Sequence, residues 1–509
     1  MLFNSIEFAF FLPIVFLIYW AIGYAHINEN TKLRLQNAFV LVASYVFYGW
    51  WDWRFLLLIA FTSFCSWGSG LLIGKSVSSV QSVDGHKKAK FWMIANIVLN
   101  LGILFTFKYY NFFVEEFCQL FPSLEGRSGG VISLILPVGI SFYTFQALSY
   151  SIDVYRQKIE PTKDIIAFFA FIAFFPQLVA GPIERATNLL PQFLQNRKFS
   201  YDQATDGMRQ ILWGLFKKIV VADNCATYVD QVWATYDTQT GSTLLLAAIL
   251  FTFQIYGDFS GYSDIAIGTA KLFGIKLMRN FNNPYFSRDI AEFWRRWHIS
   301  LTTWFRDYVY IPLGGSRPEI PANIQNPDRY KKLIIIRNTF VIFLLSGFWH
   351  GANWTFIAWG AYHALLFLPL ILLGKNRKYT NQVAEGRLFP TWKECGQILL
   401  TFSLVVLGWI IFRAPHMPTL LHYLEGICDA SIFTIPWLMN KGFYLPLFSA
   451  ILIMLSIEWL SRNNEHALQN IECHKILNNT FVRVVLYALS LFLILAFRGG
   501  TVAFIYFQF

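Results

Sequence analysis

Two histidine motifs frame the centre of this sequence, Phe293-Trp294-Arg295-Arg296-Trp297-His298 and Ser346-Gly347-Phe348-Trp349-His350-Gly351-Ala352-Asn353-Trp354. Each motif sets one histidine among tryptophans, and strongly hydrophobic segments lie on both sides of the pair. An ionisable side chain inside a membrane costs free energy unless it is paired, solvated or used. The two histidines therefore form a functional hypothesis, and the rest of the chain is interpreted as the structure that holds them.

The composition is that of an integral membrane protein. Of the 509 residues, 55% are hydrophobic and 14% are charged, which leaves too little polar surface to cover a soluble globule. The net charge of +11 comes from short cationic runs between apolar segments. That distribution follows the positive-inside rule and predicts no nucleic-acid partner. The six cysteines form no C-x-x-C pair, so neither a zinc site nor a disulfide framework is indicated.

Apolar segments recur along the whole chain. A helix needs about 20 apolar residues to cross a hydrocarbon layer of roughly 30 Å. On that measure we expect about 11–13 transmembrane helices in one all-α membrane domain, residues 1–509, with a retained first span. Segments 210–222 and 298–313 are short enough to be re-entrant or interfacial. The predicted spans lie near 5–24, 34–50, 54–74, 90–114, 131–151, 164–181, 210–222, 243–270, 333–349, 353–374, 397–413, 443–461 and 481–500.

The loop charges predict the orientation in the membrane. Three loops rich in lysine and arginine should be cytoplasmic, because cytoplasmic loops carry an excess of these residues. Loop 414–442 carries one lysine against two acidic residues and should face outward. Counting the helices that follow then puts the carboxy terminus outside. The three cytoplasmic loops are 75–90, 185–218 and 375–393.

The chemistry of imidazole suits His298 and His350 to group transfer. A neutral imidazole can accept a proton from a hydroxyl near pH 7 and return it to a leaving group. The alternative is that each histidine is structural and satisfied by a helix carbonyl or a water. Residues 299–316 favour the functional hypothesis, because they are too polar and glycine-rich to face lipid and must line a cavity or re-enter. His363 is assigned to packing, and no metal is expected because coordinating spacings such as H-E-x-x-H are absent from the sequence.

A second polar cluster interrupts the apolar segment 243–270. Its two carboxylates, hydroxyls and amide suggest a cavity wall that faces the histidines. A helix interface held together by polar side chains explains the same pattern equally well. The cluster consists of Gln254, Asp258, Ser260, Tyr262, Ser263 and Asp264.

The stretch from Glu292 to Gly315, together with the motif around His350, closely resembles membrane-bound O-acyltransferases. The branch that it resembles includes the bacterial alginate O-acetylases, the peptidoglycan O-acetyltransferases and the D-alanyl-teichoic-acid acyltransferase. Three shorter stretches extend the resemblance, so that it runs from near the start of the chain to beyond residue 370. They are Gly139–Phe145, Ala180–Ile183 and Gly261–Asp264.

This resemblance implies a fold and assigns roles to both histidines. The implied fold is a ring of tilted helices around a central tunnel, open to an acyl donor on the cytoplasmic side and to an acceptor outside. His350 takes the position of the family's principal catalytic histidine, and His298 takes the second conserved position. The expected tunnel-lining residues are Trp297, Trp349, Asn353, Arg295, Arg296, Gln254, Asp258, Ser260, Tyr262, Ser263 and Asp264.

The final residues carry a resemblance of their own. Phe504-Ile505-Tyr506-Phe507-Gln508-Phe509 is similar to the terminal motif of the small membrane peptide that accompanies the D-alanyl acyltransferase. By this resemblance residues 501–509 form an extracytoplasmic tail, and Tyr506 is a candidate acyl relay. Its phenol, with an ordinary pKa of about 10, would need His350 or His298 as a base to attack a thioester. The alternative is an aromatic belt at the end of the last helix.

Together these expectations describe an O-acyltransferase of the bacterial cytoplasmic membrane. It would take an acyl group, by preference acetyl from acetyl-CoA, toward hydroxyls of an exported cell-surface polysaccharide, without a bound cofactor. A separate extracytoplasmic partner of the SGNH type, with a serine nucleophile, would complete the transfer. The rival hypothesis is a transporter or flippase for a lipid-linked saccharide. Such proteins often show internal repeats or paired broken helices, and the sequence shows neither.

Overall fold

The secondary structure of the described residues is helical and contains no strand. The computed structural model describes residues 1–78, 83–121, 135–321, 324–473, 477–499 and 504–505. The chain separates into two compact units. They consist of Met1–Met208 with Ala266–Met278, and of Arg209–Ile265 with Arg279–Phe509.

The first unit is built from the amino-terminal helices. Within it, α3 packs on α4 and α6, and α1 packs on α2. The helices are α1 (Ile6–Tyr24), α2 (Glu29–Gly49), α3 (Arg54–Ser78), α4 (Val83–Lys108), α5 (Tyr110–Leu120), α6 (Ile140–Tyr155), α7 (Ile165–Ala173), α8 (Phe175–Leu178), α9 (Ala186–Phe193) and the first part of α10 (Tyr201–Leu215).

The second unit holds both histidine motifs. Its α-helices are the end of α10, α11 (Asp223–Ala234), α12 (Gly241–Leu272, whose last residues belong to the first unit), α13 (Ile290–Arg296), α14 (Ile299–Phe305), α15 (Pro327–His350), α16 (Trp354–Leu372), α17 (Trp392–Arg413), α18 (Met417–Cys428), α19 (Lys441–Leu460) and α20 (Thr480–Ala496). The described residues of this unit also form two π-helices, Phe216–Ala222 and Arg306–Tyr310, and the 3₁₀ helices Tyr236–Thr238, Pro284–Phe286, Ala430–Phe433 and Ile471–Cys473.

Eight helices of the described chain are long and apolar enough to cross a membrane: α1, α3, α4, α12, α15, α16, α17 and α19. Large apolar side chains on their surfaces are exposed, such as Phe10 at 69% and Leu57 at 71%. An apolar surface of this kind suits lipid and not water. The predicted all-α, multi-pass membrane fold is confirmed. The expected count of 11–13 spans exceeds the eight helices that meet the length and hydropathy of a span.

In two predicted spans the observed helix is shorter than expected, because the local backbone leaves the helical conformation. The segment 164–181 breaks into α7 and α8, because Phe174 leaves the helical conformation with ψ of 109° and Pro176 opens the next helix. In 131–151, helix α6 begins only at Ile140, after Gly139 at φ +76°. A Cβ at Gly139 would overlap the carbonyl oxygen of Leu178, so a side chain is excluded there by both conformation and contact.

Helices α15 and α16 form the closely packed pair that positions His350. A Cβ at Gly347 would overlap the carbonyl oxygen of Phe356, and a Cβ at Gly360 would overlap that of Phe343. Small residues of this kind let two backbones approach within a membrane. The pair packs further on α17 and α13, so the end of α15 is held from several sides.

Candidate active site

His298 lies at a sharp turn between two short helices. Asp289 caps α13 by accepting the backbone N–H of Glu292, as N-cap aspartates do. Trp297 is extended, and His298 then turns into α14 at φ +43° and ψ +55°. A non-glycine residue in this left-handed conformation costs on the order of 1–3 kcal/mol, and such residues cluster at functional sites. Burial lowers the pKa of His298 to about 3, so the ring is neutral near pH 7.

His350 is the last residue of α15 and is 6% exposed. Aromatic rings enclose it, with centroids 4.9 Å away at Trp349, 5.2 Å at Trp359 and 5.0 Å at Phe412. Trp349 is also 6.0 Å from the ring of His298. One indole therefore contacts both imidazoles.

A cavity of about 640 Å³ lies within the second unit, and both histidines line it. Trp294, Trp297 and Arg295 line the same space. A volume of this size is in the usual range for a small-molecule site, which is mostly apolar with a few polar groups. Much of the remaining wall is aliphatic or aromatic, formed by Ile335, Ile342, Phe343, Phe367 and Ile371.

Three arginines are also among the cavity-lining residues, Arg295, Arg306 and Arg377, and the guanidinium of Arg306 is paired with the Asp307 carboxylate at 2.7 Å. The Arg295 guanidinium donates to the carbonyl oxygens of Asn376, at 3.0 Å, and Tyr379, at 2.6 Å. These bonds fix the position of Arg295 without neutralising its charge. The cavity thus joins two imidazoles to a cationic region.

The profile of the membrane-bound O-acyltransferase family matches residues 155–393. The probable alginate O-acetylase AlgI of Pseudomonas aeruginosa is 40% identical over 418 residues, 82% of this chain and 73% of the relative. The peptidoglycan O-acetyltransferase of Helicobacter pylori is 31% identical over 557 residues, 100% of this chain and 98% of the relative. The teichoic acid D-alanyltransferase of Bacillus subtilis is 28% identical over 288 residues, 55% of this chain and 69% of the relative.

The chain belongs to the membrane-bound O-acyltransferase family. The resemblance that the histidine motifs indicated is therefore confirmed, and the protein is an acyltransferase. This assignment favours the enzyme over the rival transporter.

Three of the expected lining residues of this acyltransferase have other contacts in the structure. Arg296 forms an ion pair of 2.7 Å with buried Glu292. Asn353 caps α16 by accepting the N–H of Thr355 and donates to the carbonyl of Pro415. Trp349 contacts both histidine rings. None of the three is among the described residues that line the cavity.

The polar cluster of α12 is tied to two lysines that the sequence analysis assigned to a cytoplasmic loop. Lys217 and Lys218 do not lie in an exposed loop: they are 3% and 4% exposed and belong to the π-helix after α10. The ammonium group of Lys218 pairs with Asp258 at 2.7 Å and with Asp223 at 2.6 Å. Lys217 pairs with Asp264 at 2.7 Å. Buried charges need such partners, and this network agrees with the helix-interface alternative.

The other members of the cluster are also buried or nearly so on α12. Gln254, Ser260 and Tyr262 are at most 6% exposed, and Ser263 accepts a hydrogen bond of 3.1 Å from the amide of Asn280. No member of the cluster is among the described cavity-lining residues. Ser263 nevertheless reaches the site indirectly, since Asn280 contacts His298.

The carboxy-terminal segment reaches the same polar cluster. The backbone N–H of Ile505 donates to the Asp258 carboxylate at 2.7 Å. The ring of Phe504 lies 4.7 Å from that of Tyr262. Tyr506, the candidate acyl relay, lies outside the described residues.

One phenylalanine separates this segment from a histidine of the site. The ring of Phe259 is 5.9 Å from Phe504 and 4.7 Å from His298, which it meets edge to face at 90°. The described part of the tail is therefore one aromatic ring away from His298.

Asn280 is a site residue that the sequence analysis missed. Its side-chain oxygen is 3.0 Å from Nδ1 of His298, and it is fully buried. The residue lies in a short polar stretch that resembles an ordinary loop in the sequence. A loop asparagine that is buried beside a histidine can be identified only from the fold.

Proposed function

We propose that this acyltransferase moves acetyl groups from cytoplasmic acetyl-CoA across the membrane for O-acetylation of an exported cell-surface polysaccharide. The observation that supports this proposal most directly is that His298 and His350 line one cavity. The names of two relatives, an alginate O-acetylase and a peptidoglycan O-acetyltransferase, support the acceptor class, since alginate and peptidoglycan are both saccharide polymers outside the cytoplasmic membrane.

The cavity lining supports a phosphate-bearing donor. Arginine guanidinium groups bind phosphates through paired, charge-assisted hydrogen bonds. Arg295 and Arg377 supply two such groups beside the cavity, and the apolar walls suit the acyl arm. Arg377 belongs to the loop 375–393, which the charge pattern predicts to be cytoplasmic, where acyl-CoA is available.

In the proposed mechanism His350 is the general base. It takes the phenolic proton of Tyr506, and the phenolate oxygen attacks the thioester carbonyl carbon of acetyl-CoA. The carbon–sulfur bond then breaks, His350 returns the proton to the departing thiolate, and an acetyl ester remains on Tyr506. His298 either orients the nucleophile or stabilises the oxyanion that develops on the carbonyl oxygen.

The anchoring of the tail supports Tyr506 as the relay. Ile505, the residue before it, bonds to buried Asp258, and Phe504 packs beside Phe259, which contacts His298. A serine enzyme of the SGNH type is proposed to take the acetyl group from Tyr506 outside and pass it to a polysaccharide hydroxyl. With the carboxy terminus on the external side, as the charge pattern predicts, the relay ester would be accessible to that partner.

Mass spectrometry of the carboxy-terminal peptide tests donor and relay together. The purified full-length protein is incubated with isotopically labelled acetyl-CoA, and wild type is compared with Tyr506→Phe and with His350→Ala. We expect the labelled acetyl mass on the wild-type peptide and on neither variant peptide. Label on the Tyr506→Phe peptide would overturn the relay, and no label in wild type would count against acetyl-CoA as the donor.

A further inference from the structure

Asn280 is the centre of a small buried hydrogen-bond network around His298. Asn280 is 0% exposed, and its Oδ1 lies 3.0 Å from His298 Nδ1. The same oxygen accepts the hydroxyl of Ser300 at 2.9 Å and the backbone N–H of Ser300 at 3.3 Å. The amide nitrogen of Asn280 donates to Ser263 at 3.1 Å. Every polar atom of this side chain therefore has a partner.

The backbone of Ser300 decides which way the Asn280 amide faces. A backbone N–H is always a donor, so the Asn280 atom opposite it must be the oxygen and not the NH₂ group. That oxygen can only accept. His298 Nδ1, which faces it, must therefore carry the proton.

A backbone hydrogen bond also fixes the position of Asn280 relative to the turn at His298. The backbone N–H of Ile299 donates to the carbonyl of Asn280 at 2.9 Å, so main chain and side chain of Asn280 both bind the turn at His298. The turn itself has the left-handed backbone described above. A network with this many satisfied buried partners specifies one geometry.

We infer that Asn280 is a positioning residue that fixes His298 in the tautomer protonated at Nδ1, so that Nε2 accepts a hydrogen bond from the attacking hydroxyl. The inference rests on the proposed function and decides between the two roles left open for His298. A neutral imidazole with its proton on Nδ1 has a lone pair on Nε2. It can orient a hydroxyl for attack, whereas donation from Nε2 to an oxyanion would need the opposite tautomer.

Nitrogen NMR of the histidines tests the tautomer directly, without reference to activity. The full-length protein, labelled with ¹⁵N-histidine, is compared with the His298→Ala variant to identify the His298 signals. The inference requires a protonated Nδ1 and an unprotonated Nε2 in wild type near pH 7. An Nε2-protonated or doubly protonated ring would overturn it, and this measurement does not depend on the folding of any Asn280 variant.

Substitutions at Asn280 test the consequence for catalysis, measured on the full-length protein as the first-order rate constant for acetylation of Tyr506 at saturating acetyl-CoA, here written kcat. Asn280→Asp keeps an oxygen for His298 Nδ1 and Ser300, and the Ser263 hydroxyl can turn to donate to the second oxygen. We therefore expect Asn280→Asp to retain most of the wild-type kcat. Asn280→Ala should lower kcat by about 10- to 100-fold, the range known for outer partners of metal-bound histidines, with KM for acetyl-CoA within about twofold of wild type.

Asn96 provides a matched control in the first unit. It is also buried, and it bonds to two serines, Ser66 and Ser151, so Asn96→Ala removes a comparable network and should leave kcat within about twofold. If Asn280→Ala kept the wild-type kcat while His298→Ala lost activity, the inference about Asn280 would be overturned and the proposed function would stand. Wild-type kcat in His298→Ala would overturn the proposed role of the site as well.

Discussion

Glu292 is the buried carboxylate on which two arginines of the second unit converge. It lies 2.7 Å from Arg296 and 3.0 Å from Arg288, and it is 1% exposed. Removing one partner of a buried pair leaves an uncompensated charge, which costs about 3–5 kcal/mol. Glu292→Gln should therefore lower the thermal unfolding temperature of the detergent-solubilised protein markedly. The exposed pair of Glu29 and Lys32 is the control, and an equal shift in Glu29→Gln would contradict this account.

At the same scale, the sequence could identify the histidines but not their partners. His298 and His350 stand out because tryptophans surround them in apolar sequence. Arg296 was expected to line the cavity, and in the structure its guanidinium pairs with Glu292, four residues earlier on the same helix. The partner of His298, Asn280, is separated from it by 18 positions, and a single loop asparagine carries no periodic signal.

Among the helices, the crossing of α15 and α16 determines where His350 lies. Gly347→Ala would place a Cβ against the carbonyl oxygen of Phe356, so the two helices must separate or shift. We expect acetyl transfer to fall at least tenfold while the protein still inserts into the membrane, because misplacing a reacting group by about 1 Å can cost 10²-fold. Gly396→Ala on α17, where a Cβ would meet nothing within 4 Å, is the control. Equal activity in both variants would show that the crossing does not position His350.

The long helices were predictable and the buried charged segment was not. Apolar length alone located α1, α3, α12 and the other candidate spans, because the thickness of a membrane sets a minimum. Lys217 and Lys218 instead resembled loop cations. Their carboxylate partners Asp258 and Asp264 lie on another helix, so only the packed fold explains how two lysines can be buried.

For the whole molecule, the charge pattern predicts that loop 414–442 faces outward. Cys428 lies in this loop and is exposed, so a membrane-impermeant maleimide should label it in intact spheroplasts. Cys428→Ser should remove that label. Cys395 follows the predicted cytoplasmic loop 375–393 and should react only after lysis. Labelling of Cys428 only after lysis would reverse the orientation and with it the sides assigned to donor and acceptor.

We propose that the cavity shared by His298 and His350 performs the acyl transfer. A third buried histidine, His363, is 1% exposed, accepts the indole N–H of Trp294 at 3.4 Å and is not among the described cavity-lining residues. His363→Asn keeps an acceptor for that indole and serves as the matched control.

The decisive measurement is the initial rate of labelled acetyl transfer from acetyl-CoA by the purified, membrane-reconstituted protein. His350→Ala should lower the rate by at least about 100-fold, the scale of general acid–base catalysis, while His363→Asn stays within a few-fold of wild type. A wild-type rate in His350→Ala, at equal protein in the membrane, would show that His350 is not the base of the transfer.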